Sequence, residues 1–238
     1  MTLKHYVNLV LPSACAPALA LLLAACASSS GSARHLVWKL EDNLIRLSVG
    51  VGEARGELLL GTAHPTTLLD PRFAAAARAG GDTAVRLRGL PALRVRPALA
   101  ELHGLADGIV GADVWRGRRI TLDYHRALLI IDGNAEPMSD AVHSRFDAVP
   151  AVTVTIDGVE ERAIVDSANP DTILLPSSRF GEEGRRRIDL SVGNLELREL
   201  DAAVEPVSEI RLGNRVLSHF VVTIDYAARE VILWQDPR

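Results

Sequence analysis

Cysteine is almost absent. The 238-residue chain has two, Cys15 and Cys26, both in its N-terminal apolar stretch. Everything downstream therefore lacks a disulfide, a thiol nucleophile and a thiolate metal site. Lysine is nearly missing as well: of 26 basic residues only Lys4 and Lys39 are lysines. Aromatic residues make up 4% of the chain, which leaves valine and leucine to carry the core. The net charge of −4 has none of the positive excess that a polyanion partner would favour, so no nucleic acid is expected. Arginines do cluster, at Arg86, Arg88, Arg94 and Arg96, at Arg116, Arg118 and Arg119, and at Arg185 to Arg187. A lipid-headgroup or nucleic-acid role stays open for them, but the alternation of the first cluster fits the solvent faces of strands. His-Glu-x-x-His, Gly-x-Ser-x-Gly and Gly-x-x-x-x-Gly-Lys are all missing, so zincin, α/β-hydrolase and P-loop chemistry have no motif here. No metal or cofactor is expected.

The long apolar run is confined to the N-terminus. Residues 1–26 read as a secretory signal peptide: Lys4, an apolar stretch, then Leu-Ala-Ala-Cys26. The ending resembles a bacterial lipobox, which implies that Cys26 is lipidated. Ala27 and Ser28 lack the aspartate that retains such lipoproteins at the inner membrane. The expected location is therefore the periplasmic face of the outer membrane, lipid-anchored. Residues 27–34 are small and polar, a tether of eight residues that spans at most roughly 25–30 Å. About 200 residues follow, enough for one large domain or two lobes of about 100.

One stretch stands out, Ala163-Ile-Val-Asp-Ser-Ala-Asn-Pro-Asp-Thr-Ile-Leu-Leu-Pro176. An apolar strand delivers a single carboxylate, Asp166, into a turn of small residues. An ionised carboxylate beside a core needs donors or a proton. Asp166-Ser167-Ala168 followed by Thr172-Ile173-Leu174 resembles the active-site segment of retropepsin-like and pepsin-like aspartic proteases, with Ala168 in place of the commoner glycine. The resemblance implies a mainly β, two-lobed, barrel-based fold. It also implies a site in which two such loops meet and two aspartates share one proton around an attacking water.

The second loop should lie upstream, because the chain repeats. Gly61-Thr-Ala-His-Pro-Thr-Thr-Leu-Leu-Asp-Pro71 aligns without gaps on Asp166 to Pro176 at an offset of 105 residues. Thr62 falls on Ser167, Ala63 on Ala168 and Thr67 on Thr172. A second window, Gly111 to Tyr124, falls on Gly213 to Tyr226 at an offset of 102. Two ordered anchors with nearly one offset indicate an internal duplication. They also expose its anomaly: where the second copy has Asp166, the first has Gly61. His64, opposite Asn169, is either an ordinary loop residue or a substitute proton carrier. Asp70, Asp107, Asp113 and Asp171 lie off the loop position, and the first three read as turn or cap residues. The recurring Asp123 and Asp225 read as structural.

The first lobe is expected over 35–132, a linker over 133–150 and the second lobe over 151–238. Alternating runs predict strands at Leu44 to Val49, Val152 to Ile156 and Ile120 to Tyr124, and a short helix over Arg72 to Ala79. Hairpins at Val85 to Arg96 and at Ile188 to Arg198 stand where the resemblance places the flaps. Three functions follow as expectations. One is an envelope lipoprotein that is not catalytic as a monomer and whose cleft binds an extended peptide or envelope-protein segment. The second is an aspartic-type endopeptidase that joins two Asp166 loops by dimerisation. The third is a purely structural lipoprotein. In the family, the hydroxyls at Thr62 and Ser167 bond across to the opposite loop.

Overall fold

The structure, a computed structural model, describes residues 33–133 and 137–235. The expected signal peptide, Cys26 and most of the tether lie outside the described residues. Gly31–Arg238 forms a compact unit by itself.

The first half comprises β1 (Arg34–Val37), β2 (Lys39–Glu41), β3 (Leu44–Val51), β4 (Ala54–Leu60), β5 (Leu68–Leu69), α1 (Pro71–Ala76), β6 (Thr83–Arg86), β7 (Leu93–Val95), β8 (Ala98–Leu99), β9 (Gly108–Val110), α2 (Ala112–Trp115), β10 (Arg119–Asp123) and β11 (Leu128–Ile131). The second comprises β12 (Val142–Arg145), β13 (Ala151–Ile156), β14 (Val159–Val165), β15 (Ile173–Pro176), α3 (Ser177–Phe180), β16 (Gly184–Val192), β17 (Leu195–Glu205), β18 (Ile210–Leu212), α4 (Asn214–Leu217), β19 (Val221–Asp225) and β20 (Glu230–Trp234). Among the described residues the protein is mainly β, with only short helices.

Local chemistry sets the elements. In β3, Ile45, Leu47, Val49 and Val51 point into the core while Ser48 faces out, the period of a strand with one wet face. Asp157 and Gly158 both have positive φ, as the tight turn joining β13 to β14 requires, and Asp42 with Asn43 does the same between β2 and β3. Asp70 caps α1 by accepting from the Arg72 N–H, with Pro71 opening the helix. That bond and one from the Leu102 N–H hold the Asp70 carboxyl below its ordinary range, the Leu102 bond contributing more.

Strands β13 to β18 close into a six-stranded barrel, and β2 to β9 form an eight-stranded sheet of the same plan. In each, the strand entering the loop runs parallel to a short strand behind it, β4 with β9 and β14 with β18, and a second parallel pair follows, β5 with β8 and β15 with β17. The registers are duplicates. Leu60 pairs with Val110 as Val165 pairs with Leu212.

A third sheet joins the halves in the order β1-β11-β10-β19-β20-β12. At its centre Thr121 pairs with its own duplicate, Thr223, and their hydroxyls lie 2.7 Å apart. The order reads the same from either end, which locates a pseudo-twofold at that pair. The outermost strands extend the symmetry. Arg34 pairs with Ile131 as Val142 pairs with Leu233, and the buried rings of Trp38 and Phe146 stack edge-on against Tyr124 and Tyr226. Residues 133–150, expected as a linker, thus carry a strand that is the counterpart of β1. The repeat begins before the barrel that its sequence pattern advertises.

Candidate functional site

The two loops meet back to back. Thr62 Oγ1 donates to the Val165 carbonyl at 2.6 Å and accepts from the Ser167 N–H at 3.0 Å. Ser167 Oγ donates to the Leu60 carbonyl at 2.7 Å and accepts from the Thr62 N–H at 3.1 Å. Each bond is the mirror of another, shifted by 105 residues. All four are fully buried, so the hydroxyls satisfy backbone groups that would otherwise be stranded in the core. Loop ends are fixed the same way on both sides: the Gly61 N–H donates to Val110 O and the Asp166 N–H to Leu212 O, each at 3.0 Å. Ala63 and Ala168 are half-buried beside the grip. Thr67 sits behind the first loop, donating to Asp113 at 2.7 Å and accepting from the Gly111 N–H. Its counterpart Thr172 leaves that pattern and donates to the Asp201 carbonyl.

Asp166 is 3% exposed, and its carboxylate is held from two sides. One oxygen accepts from the Ala168 N–H at 3.1 Å, the other from the Arg211 guanidinium at 3.1 Å. Arg211 stands in β18, between Ile210 and Leu212, where the first half has Ile109. An arginine at the apolar position of a buried three-residue strand has turned inward to become the counter-ion of the loop aspartate. Arg211 Nε is buried with no hydrogen-bond partner.

Across the pseudo-twofold, Gly61 has no carboxylate to offer and no room for one. A Cβ built there would lie 2.4 Å from Ile109 Cγ2 and 2.8 Å from His64 Cδ2. Its φ is not in the left-handed region, so space rather than backbone conformation keeps glycine at this place. Ile109 and His64 fill the volume a second acid would need. Burial depresses the His64 pKa; the Asp166 charge opposes that shift and the Arg211 charge adds to it. The site therefore combines one acid and one arginine with an imidazole whose neutral form is favoured by burial. Among the described residues no cluster of His, Cys, Asp or Glu offers metal ligands.

The sequence left two contributors unmarked. Arg211 is one. Asn214, opening α4 where the first half has Ala112, is the other: its amide donates to Asn43 O at 2.5 Å and to Ser167 O at 2.8 Å, and accepts from the Tyr124 hydroxyl at 2.7 Å. It therefore stitches the Asp166 loop to the first half. Burial, with a smaller push from Asp166, raises the Tyr124 hydroxyl far above its ordinary value, so this link stays protonated. Tyr226, its duplicate, reaches the Thr62 carbonyl at 3.5 Å. Asp123 and Asp225 cap the turns that follow β10 and β19, accepting from the N–H groups of Arg126 and of Ala227 and Ala228. Asp107 accepts from the Glu57 N–H, and Asp171 pairs with Arg185.

A closed barrel and its open-sheet duplicate, a grip of reciprocal hydroxyls and a loop aspartate at their junction together narrow the architecture to one kind. This is an acid-protease-like fold. Among solved structures the chain is similar to the aspartic proteinase from Irpex lacteus, with a TM-score of 0.58 and 11% sequence identity over 87% of this chain and 98% of that one. At that identity the likeness speaks for the fold alone. No family model and no curated protein matches the sequence.

Proposed function

We propose that this chain is an envelope lipoprotein whose acid-protease-like cleft holds an extended peptide or protein segment without hydrolysing it as a monomer. One observation carries the reading. Among the described residues Asp166 faces no second acid, and the guanidinium of Arg211 is bonded to it instead. Aspartic proteolysis needs two carboxyl groups sharing a proton, one to activate water and one to protonate the carbonyl. Here Ile109 and His64 fill the place of the second acid, and the acid that remains is paired with a cation that cannot give up its proton. Binding does not need the acid. An extended segment in such a cleft pairs through main-chain hydrogen bonds, with side-chain pockets alternating along it.

Dimerisation of two Asp166 loops fits the geometry poorly. It would break the four grip bonds and the Asn214 bridge, and it would displace Arg211 from each carboxylate. Support for the envelope location is the Leu-Ala-Ala-Cys26 ending and the short tether behind it. An acylated N-terminal peptide, read by mass spectrometry of protein from envelope fractions, tests that part. For the cleft, a library of extended peptides is screened by fluorescence anisotropy and the mixtures are then checked for cleavage. Saturable binding with intact peptides is expected, retained in Asp166→Asn. Complete failure to bind across the library, or turnover of the bound peptides, would overturn the reading.

A further inference from the structure

A second concave surface lies away from the paired loops, where β1 passes the hairpin of β6 and β7. It is a groove of 780 Å³, and its charged and titratable lining is all basic: Arg34, His35, Arg55, Arg86 and Arg88. Strand pairing builds it. Gly50 in β3 pairs with Arg55 on one side and Arg86 on the other, so the two arginines flank a residue with no side chain. A Cβ at Gly50 would lie 3.3 Å from Arg86 Cβ, so glycine leaves space between the two arginines. Arg86 is fixed by donating to the Gly52 carbonyl at 2.8 Å. Arg34 approaches Gly89 at the hairpin turn. Arg34, Arg55 and Arg88 are exposed, and among the described residues their side chains form no ion pair or hydrogen bond. Arginines elsewhere in this chain pair repeatedly with acids, as Arg78 does with Glu53 and Arg96 with Asp82, so the unpaired set is not a general habit of the surface.

The rim adds an apolar element. Val37, which lines the groove, is 79% exposed, and Leu40 in the next strand is 50% exposed. Guanidinium groups beside protruding aliphatic side chains suit a phosphate-bearing lipid surface, where the charges meet headgroups and the side chains enter the boundary below. Chain order points the same way. Arg34 is the last residue of the eight-residue tether expected after Cys26, so a lipid on Cys26 would keep this lining residue within a short length of chain of the membrane.

We infer that this groove is a docking face for anionic lipid headgroups, orienting the domain on the membrane to which its tether holds it. The orientation rests on reading Cys26 as lipidated; the chemistry of the groove does not. Vesicle flotation tests it, with the chain from Ala27 onward, because Gly31–Arg238 is a compact unit by itself. Vesicles of phosphatidylcholine alone are compared with phosphatidylcholine mixed with an equal part of phosphatidylglycerol. Binding is expected only to the anionic vesicles, weakening as salt rises. Replacing Arg34 and Arg88 together by serine should weaken it about 25-fold, on the order of fivefold per arginine, and replacing both by lysine should preserve most of it. Both positions are exposed, and unchanged thermal unfolding serves as the folding control. Equal binding to both vesicles, or indifference to the serine pair, would overturn the docking face and leave the anchor standing. Loss of vesicle binding to inorganic phosphate at matched concentration would reassign the groove to a small anion. Capture of polyglutamate without vesicle binding would reassign it to an acidic protein. An N-terminal peptide from cells without acyl chains would end the anchored orientation, whatever the vesicles show.

Discussion

The two loops of this protein started as copies and now do opposite things with the same volume. Around Asp166, a buried carboxylate is kept by importing a cation, Arg211, into a strand position that is apolar in the other half. Around Gly61, the carboxylate is gone and Ile109 with His64 has closed over its place. What did not diverge is the framework between them: the four bonds of Thr62 and Ser167 still obey the pseudo-twofold. The contrast shows which demands a site places on a fold. Hydroxyls that satisfy buried backbone are needed whatever the loops do, whereas a proton-sharing pair is needed only for hydrolysis.

Restoring symmetry by Gly61→Asp should have the largest effect. The new side chain must displace Ile109 and His64 and bury a charge, a loss of about 3–5 kcal/mol in urea unfolding, and it should not by itself bring cleavage. Adding Ile109→Ala should recover part of the loss; if the single variant is as stable as the parent, the space was never closed. Next comes Arg211→Ile, which copies the first half onto the second. It strands a buried carboxylate and should lose about 2–4 kcal/mol, discounted because the arginine is partly exposed, while Asp166→Leu in the same chain should return most of it. Additive losses across that cycle would mean that the ion pair is incidental. Ser167→Ala leaves Leu60 O and the Thr62 N–H without partners and should lose about 2–3 kcal/mol, with Thr62→Val losing a similar amount. Unequal losses would break the equivalence of the two hydroxyls.

The smallest expected effect concerns pH. His64 has a depressed pKa in the folded protein, so the unfolded chain takes up its proton first. Its contribution to stability is intact above the ordinary histidine value of 6.5 and declines as pH falls below that toward the folded value. His64→Asn, which installs the residue of the other loop, should flatten the stability profile in that window. An unchanged slope would place the proton elsewhere.

Much of this was legible in the sequence. The Asp-Ser-Ala segment, the two offsets and the missing acid at Gly61 all rest on local pattern, and the mainly β, two-lobed fold follows from them. The flanking hairpins were legible for the same reason: Asp157-Gly158 and Gly193-Asn194 are turn signals between alternating runs. Strand β12 was not, because an edge strand with two exposed residues, His143 and Arg145, shows no alternation of hydrophobicity and reads as a polar connection. The role of Arg211 was hidden differently. Its partner is 45 residues away, and only the 102-residue offset, which places it on Ile109, marks an arginine where an apolar residue belongs. Asn214 carried the same kind of signal against Ala112. In both cases a polar residue at a position apolar in the duplicate was the clue.

Acid-range digestion of a broad peptide library, run with and without a statine-type inhibitor, tests the one-acid site most directly. The account predicts no inhibitor-sensitive cleavage at any pH from the purified protein. Inhibitor-sensitive cleavage that disappears in Asp166→Asn would contradict it.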